Sequence, residues 1–151
     1  MRAINHALTG TLIGLTVAEP AVAVPIAFVS HYVCDMVPHY DLSLPTKQKI
    51  RSKQFNFLLL LDIVLCLLLV LILSADKPAN WILAAVCAFA AAAPDFFSFG
   101  QYRNTLRSKR WQGNRYTRFA KDIQWFERPI GGLVEVAWFI AAVVLVLPFL
   151  R

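Results

Sequence analysis

The sequence predicts an all-α fold: a polytopic integral membrane bundle of about five hydrophobic helices with an interfacial amphipathic segment. Three observations predict it. The chain is 58% hydrophobic with a mean hydropathy of +0.58. Charged residues make up 16% of it, against about a quarter in soluble domains. The apolar residues come in long runs, and the cations gather in two stretches instead of spreading as they would on a soluble basic protein. No Gly/Ser-rich or Pro-rich linker and no internal repeat divides the 151 residues, so residues 1–151 read as a single membrane domain.

The first two apolar stretches, residues 3–18 and 21–36, are short and separated by Glu19-Pro20. Proline suits the first turn of a new helix, which makes the pair a helical hairpin. A secretory signal peptide is the rival reading, because Arg2 precedes an apolar stretch and Ala21-Val22-Ala23 looks like a cleavage site. Asn5 and His6 stand where a signal would be basic or apolar, which favours the hairpin. Residues 55–74, 79–99 and 131–150 are each long enough to cross roughly 30 Å of hydrocarbon at about 1.5 Å per residue. A run such as Phe57-Leu58-Leu59-Leu60-Leu61 must satisfy its backbone internally, and a helix does so.

The cations orient the bundle. Lys47, Lys49, Arg51 and Lys53 precede the third helix, and Arg103, Arg107, Lys109, Arg110, Arg115, Arg118, Lys121 and Arg128 precede the fifth. By the positive-inside rule both stretches are cytoplasmic, which puts the N-terminus inside and the chain in the cytoplasmic (inner) membrane. Within the basic segment of residues 100–130, the cations from Tyr102 to Arg128 alternate with Trp111, Tyr116, Phe119, Ile123, Trp125 and Phe126. That mixture suits a short helix lying in the headgroup region and meeting anionic phospholipid. A plain topological loop is the competing reading, and nucleic-acid binding is a weaker third, since basic-aromatic interleaving is unspecific. Cys34, Cys66 and Cys87 lie inside apolar runs, so an odd set of buried thiols replaces any disulfide framework.

Ionisable groups inside membrane helices are costly and mark function or pairing. Here they converge. His6 opens the first helix, and His31, Asp35, His39 and Asp41 close the second. Asp62 lies early in the third, Asp95 follows Pro94 near the end of the fourth, and Glu135 begins the fifth. In the predicted topology all fall in the cytoplasmic half. His31 and Asp35 are one turn apart on one face, with Ala27 and Ala23 continuing the stripe. Gly10 and Gly14 continue it from His6, and Ala91 precedes Asp95 by a turn, so close helix packing turns the polar groups inward. Imidazoles and carboxylates together supply the donors of a divalent cation. Zinc is the first choice, as one ion or two, with manganese and iron open; such an ion activates water for attack on an ester or phosphoester. Asp62 and Glu135 read first as polar contacts between helices and only second as catalytic groups.

The early His6, the His31-Tyr32-Val33-Cys34-Asp35 helix followed by a proline turn, and the Pro94-Asp95 step after an alanine-rich helix resemble the membrane-bound, metal-dependent hydrolases, which are distantly similar to zinc-dependent phospholipase C proteins. The resemblance covers mainly residues 3–41 and 84–97. It implies metal-dependent hydrolysis by a small helical membrane protein, with His6, His31, Asp35 and Asp95 at ligand-type positions. His39 and Asp41 would complete a second metal position or transfer protons. The expected substrate is a phosphoester or lipid-like molecule at the inner leaflet. The alternative is a non-catalytic metal-binding or ion- or proton-conducting protein. A pathway would continue an acidic line across the membrane, whereas the third helix offers only apolar residues between Asp62 and Ser74.

The topology is checked by cysteine-accessibility labelling. Lys49→Cys and Lys109→Cys are both expected to react from the cytoplasmic side, and labelling of either from outside reverses the orientation.

Overall fold

The computed structural model describes residues 1–40, 51–97, 106–107, 115–124 and 130–150. Asp41, Lys47, Lys49 and much of the basic segment lie outside the described residues. Among those described, the regular structure is helical. Its elements are α1 (Ala3–Thr16), α2 (Pro20–Met36), α3 (Lys53–Asp76), α4 (Trp81–Phe97), α5 (Arg115–Ile123) and α6 (Gly131–Val146), which runs into a 3-10 turn at Leu147–Phe149.

Local chemistry sets the ends. The α2 turn begins with Pro20 at its first position, and the Glu19 side chain accepts from the Ala21 N–H at 3.3 Å, the arrangement favoured at a helix start. At α3 the Ser52 hydroxyl accepts from the Phe55 N–H at 3.1 Å. That cap starts the helix two residues before the apolar run that announces it. At the other end Lys77 adopts a left-handed conformation (φ 49°) and its N–H closes on Leu73, the usual device for ending a helix ahead of a proline. Asn80, also left-handed at φ 63°, delays the start of α4.

Two helices have the length and composition to cross a membrane: α3, with 24 residues and a mean hydropathy of 3.1, and the 19-residue stretch Gly131–Phe149, at 2.3. The other apolar helices are shorter, with 14 residues in α1 and 17 each in α2 and α4. Five helices were expected, three of them of full spanning length. Of residues 79–99, those described form a helix of 17 residues that starts at Trp81, after Pro78 and Asn80, and is described as far as Phe97.

The helix richest in polar side chains at its start, α1, lies at the centre. It packs against α2, α3, α4 and α6, most extensively against α4. Its Ile4, Ala7, Leu8 and Leu15 join Leu69 and Leu73 of α3, Ala84 and Ala88 of α4, and Ala142 and Val146 of α6 in one buried cluster. A second cluster consists of Ala23 and Ala27 of α2 with Cys87 and Ala91 of α4. In α3, by contrast, Leu60, Leu67 and Leu71 are each about 60% exposed. An apolar exterior of this kind marks a surface for a membrane or a partner.

The α1–α4 contact is made at backbone distance. A Cβ added to Gly10 would lie 2.2 Å from the Cys87 carbonyl oxygen, and one added to Gly14 would lie 2.5 Å from the Ala84 Cα. Because the obstacle is backbone, the two helices themselves would have to separate. Gly10→Ala and Gly14→Ala are each expected to cost on the order of 1–3 kcal/mol by overpacking, read as a lowered melting temperature in detergent. Unchanged melting of both variants would contradict this contact.

Candidate metal centre

Three elements bring their polar groups to one end of the bundle. α1 contributes His6, α2 contributes His31 and Asp35 one turn apart, and α4 contributes Asp95 directly after Pro94. The His6 and His31 rings stack with centroids 4.0 Å apart and planes inclined by 26°. Both histidines and Asp35 are buried, His6 completely, whereas the Asp95 side chain is 45% exposed.

The tautomer of His31 is fixed by its neighbour. Its Nδ1 lies 2.8 Å from the Ala91 carbonyl oxygen; a carbonyl can only accept, so Nδ1 carries the proton. Pro94 lacks the N–H that would otherwise tie down the carbonyl of Ala90, so α4 has one hydrogen bond fewer beside the carbonyl that His31 uses. In the neutral ring Nε2 then carries a lone pair, and it faces Asp35 Oδ2 at 3.3 Å and Asp95 Oδ1 at 3.8 Å. Converging lone pairs need a cation among them, either a second proton or a metal ion.

His6 decides further. Among the described residues neither of its ring nitrogens has a hydrogen-bond partner. Nε2 comes within 3.2 Å of Asp35 Oδ1, but without hydrogen-bond alignment. Leaving a buried polar group unpaired costs about 1–3 kcal/mol. Ligand atoms of His6, His31 and Asp95 all lie within 4.8 Å of one another. Ligands at about 2.1 Å from one tetrahedral cation stand roughly 3.4 Å apart, so shifts of about an ångström close the group. Two imidazoles and a carboxylate fit a zinc-like ion in donor type as well.

Asp35 sits differently. Besides the two imidazoles, its Oδ1 accepts from the Met1 nitrogen at 2.6 Å and its Oδ2 from the Gln124 amide at 3.0 Å. With four groups around its roughly four lone-pair positions, it faces the Nε2 of both imidazoles, the side on which a cation or a second proton would sit. His39 is fully buried elsewhere, its Nδ1 donating to the Val37 carbonyl at 2.8 Å and its backbone packed on Gly131; it does not belong to the three-ligand group. Asp41 lies outside the described residues.

The remaining acids serve the start of α1. Arg2 donates its backbone N–H to Glu135 Oε1 at 2.8 Å, and Asp62 faces the N–H groups of Ala3 and Ile4. A helix start has orphan N–H groups and a positive dipole end, and buried away from water it takes both acceptors and negative charge from its neighbours. The Arg2 guanidinium pairs with Asp62, its Nη2 3.0 Å from Oδ2, and also donates to the Leu58 carbonyl. Asn5 donates to the Glu135 carbonyl at 3.1 Å. Asp62 and Glu135 therefore connect helices.

Sequence reasoning missed Gln124 and the aromatic seat above the site. The Tyr32 hydroxyl donates to that of Tyr116 at 3.2 Å, and Tyr116 in turn donates to the Pro94 carbonyl at 3.5 Å. Burial, reinforced by the Tyr32 hydroxyl, pushes the Tyr116 phenol well up, so it stays a donor. No spacing in the sequence joins α5 to α2. On the opposite side of α2 a cavity of about 410 Å³ lies between Thr9, Pro25, Val29, Val33 and Trp138, and the Trp138 indole N–H donates to Thr9 at 3.0 Å.

Comparison with family models, with curated proteins and with solved structures gives no match. The resemblance to metal-dependent hydrolases therefore rests on the residues quoted for it.

Asp62→Ala leaves Arg2 without its ion-pair partner and is expected to destabilise the protein by on the order of 2–3 kcal/mol, less than for a fully buried pair. The metal content of the folded protein should stay unchanged. Thermal melting and elemental analysis of the same samples check this, and loss of metal at unchanged stability would make Asp62 a ligand.

Proposed function

We propose that this chain is a metal-dependent hydrolase of the cytoplasmic membrane, acting on a phosphoester or lipid-like substrate at the inner leaflet. One observation carries the reading: the completely buried His6 ring has no hydrogen-bond partner among the described residues at either nitrogen, beside the acceptor face of His31 and a carboxylate of α4. Two spanning-length helices and the exposed leucines of α3 support membrane embedding. The positive-inside distribution of Lys and Arg supports the cytoplasmic orientation.

His6, His31 and Asp95 would hold the ion, zinc by donor type. When bound, it supplies Lewis acidity toward the substrate oxygen and lowers the pKa of water. The protein's own groups do the rest. Asp35 lies beside the Nε2 of both imidazoles and adds negative charge there, and the Ala91 carbonyl fixes the His31 tautomer. Asp95 faces outward, so substrate reaches the centre past it, and its carboxylate takes up the proton that water releases as the new bond to phosphorus or carbon forms. That proton then passes to the departing alkoxide. The buried α1, α2 and α4 backbones close the site from behind.

The competing reading, an ion or proton path, loses support from Asp62 and Glu135. Both are engaged with the start of α1, and α3 beyond Asp62 offers no relay.

Detergent-purified protein is expected to hold stoichiometric metal by elemental analysis and to cleave a chromogenic phosphodiester presented in micelles. His31→Ala and Asp95→Ala should lose both properties. Asp35→Asn, which removes the negative charge beside both imidazoles, should weaken metal binding by roughly 10–100-fold. Equally little metal in the wild type and all variants would end the hydrolase reading.

A further inference from the structure

A phenol stands at the open side of the candidate metal centre. Tyr116 of α5 reaches across the ends of α2 and α4, its ring edge-on to Phe97 with centroids 5.5 Å apart. Its hydroxyl accepts from that of Tyr32 at 3.2 Å and directs its own proton at the Pro94 carbonyl, 3.5 Å away. Hydrogen bonds between oxygens ordinarily close to about 2.7–2.8 Å. The Tyr116 proton is therefore loosely held.

Pro94 directly precedes Asp95, the half-exposed member of the three-ligand group, so the phenol stands beside the route by which substrate reaches the centre. A second sign of nearness is electrostatic. Besides burial and the Tyr32 hydroxyl, the Asp95 and Asp35 carboxylates push the Tyr116 phenol up, and it stays protonated through the neutral range. Tyr32 is built otherwise. Its ring is edge-on to Phe28 and His31, at 5.7 and 5.3 Å, and its hydroxyl proton is already given to Tyr116. A hydroxyl that accepts a hydrogen bond becomes the stronger donor.

We propose that Tyr116 is a catalytic residue of this site: its hydroxyl turns from the Pro94 carbonyl to a non-bridging oxygen of a bound phosphodiester, and Tyr32 positions it there. The inference rests on the hydrolase reading given above and narrows its substrate to the phosphodiester class. As the water oxygen bonds to phosphorus and the bond to the departing alkoxide breaks, negative charge grows on the non-bridging oxygens. The water proton travels through Asp95 to the alkoxide, and the tyrosine proton is shared without being transferred. A donor already in place where charge develops lowers the barrier without reorganisation. A neutral phenol suits the single charge of a diester. The second charge of a monoester calls for a cation instead, and Arg115 and Arg118 of α5 are exposed.

The test uses the full, zinc-loaded chain in detergent with a chromogenic phosphodiester and its two phosphorothioate diastereomers, in which sulfur replaces one or the other non-bridging oxygen. Tyr116→Phe is expected to keep its zinc and its melting temperature and to lose roughly 10²–10³-fold in kcat/KM, the ordinary effect of removing one such donor. Sulfur is a weak acceptor, so one diastereomer should react more slowly than the oxygen substrate in the wild type. That ratio should shrink in Tyr116→Phe while the ratio for the other diastereomer stays, and Tyr32→Phe, which leaves the phenol in place, should move the same ratio by less. As a readout independent of turnover, a non-cleavable phosphonate monoester should bind Tyr116→Phe roughly tenfold more weakly by calorimetry, the cost of a lost hydrogen bond to a charged group. Wild-type rates, or ratios unchanged at both positions in the zinc-bound variants, overturn the inference and leave the metal centre standing. Loss of zinc from Tyr116→Phe makes the phenol a support of Asp95 and overturns it too. A wild type that holds no zinc, or holds zinc and cleaves no diester, overturns the hydrolase reading and this inference together.

Discussion

The arrangement depends on the backbone contact between α1 and α4. Gly10 and Gly14 present no side chain where Cys87, Ala91 and Ala84 approach, so the two helices meet at backbone distance. Where acyl chains surround the helices, burying apolar surface drives nothing, and association comes from dispersion across such close contacts together with polar groups matched between helices. The glycines supply the first and the start of α1 supplies the second. His6 and Asp95 reach one another because the helices bearing them are in contact a turn and more further along.

The same end of the bundle shows how polar groups are tolerated away from water. The start of α1 takes its acceptors from α3 and α6, through Asp62 and Glu135, and Arg2 neutralises Asp62 while donating into the α3 backbone. Leu58 and Asp62 lie five and nine residues into α3, so α1 begins roughly 8–14 Å along that helix, below its polar start. Each of these groups is matched. Among the described residues the His6 ring and the Asn5 side-chain oxygen are exceptions, and the company of His6, one oriented imidazole, one buried carboxylate and one half-exposed carboxylate, is what the proposed metal centre rests on. The centre lies under α5, whose aromatic seat on Tyr32 and Phe97 joins it to the basic segment.

Much of this was legible in the residues. Long apolar runs and the Glu19-Pro20 break give the helices, since both act locally. The small-residue stripes running from His6, His31 and Asp95 mark the faces that meet: Ala23, Ala27, Cys87 and Ala91 form one buried cluster, and Gly10 lies against its α4 side. The exact ends were less legible, because the Ser52 cap and the left-handed Lys77 and Asn80 are choices of single side chains and dihedrals. Least legible were roles set by tertiary contact. Nothing in the neighbourhood of Asp35 announces that Met1 and Gln124 will occupy its oxygens, and nothing near Asp62 or Glu135 announces that both will serve the start of α1. The reading of those two acids as interhelical contacts came from the general cost of intramembrane charge, and their partners came only with the fold.

The central claim is that His6 and His31 share a cation with Asp95. X-ray absorption at the metal edge of zinc-loaded protein tests it most directly. The account predicts a shell of two imidazole nitrogens with carboxylate or water oxygen at about 2.0–2.1 Å, losing one imidazole in His6→Ala. A shell of oxygen alone, one containing thiolate sulfur, or one unaltered by removing His6 would contradict it.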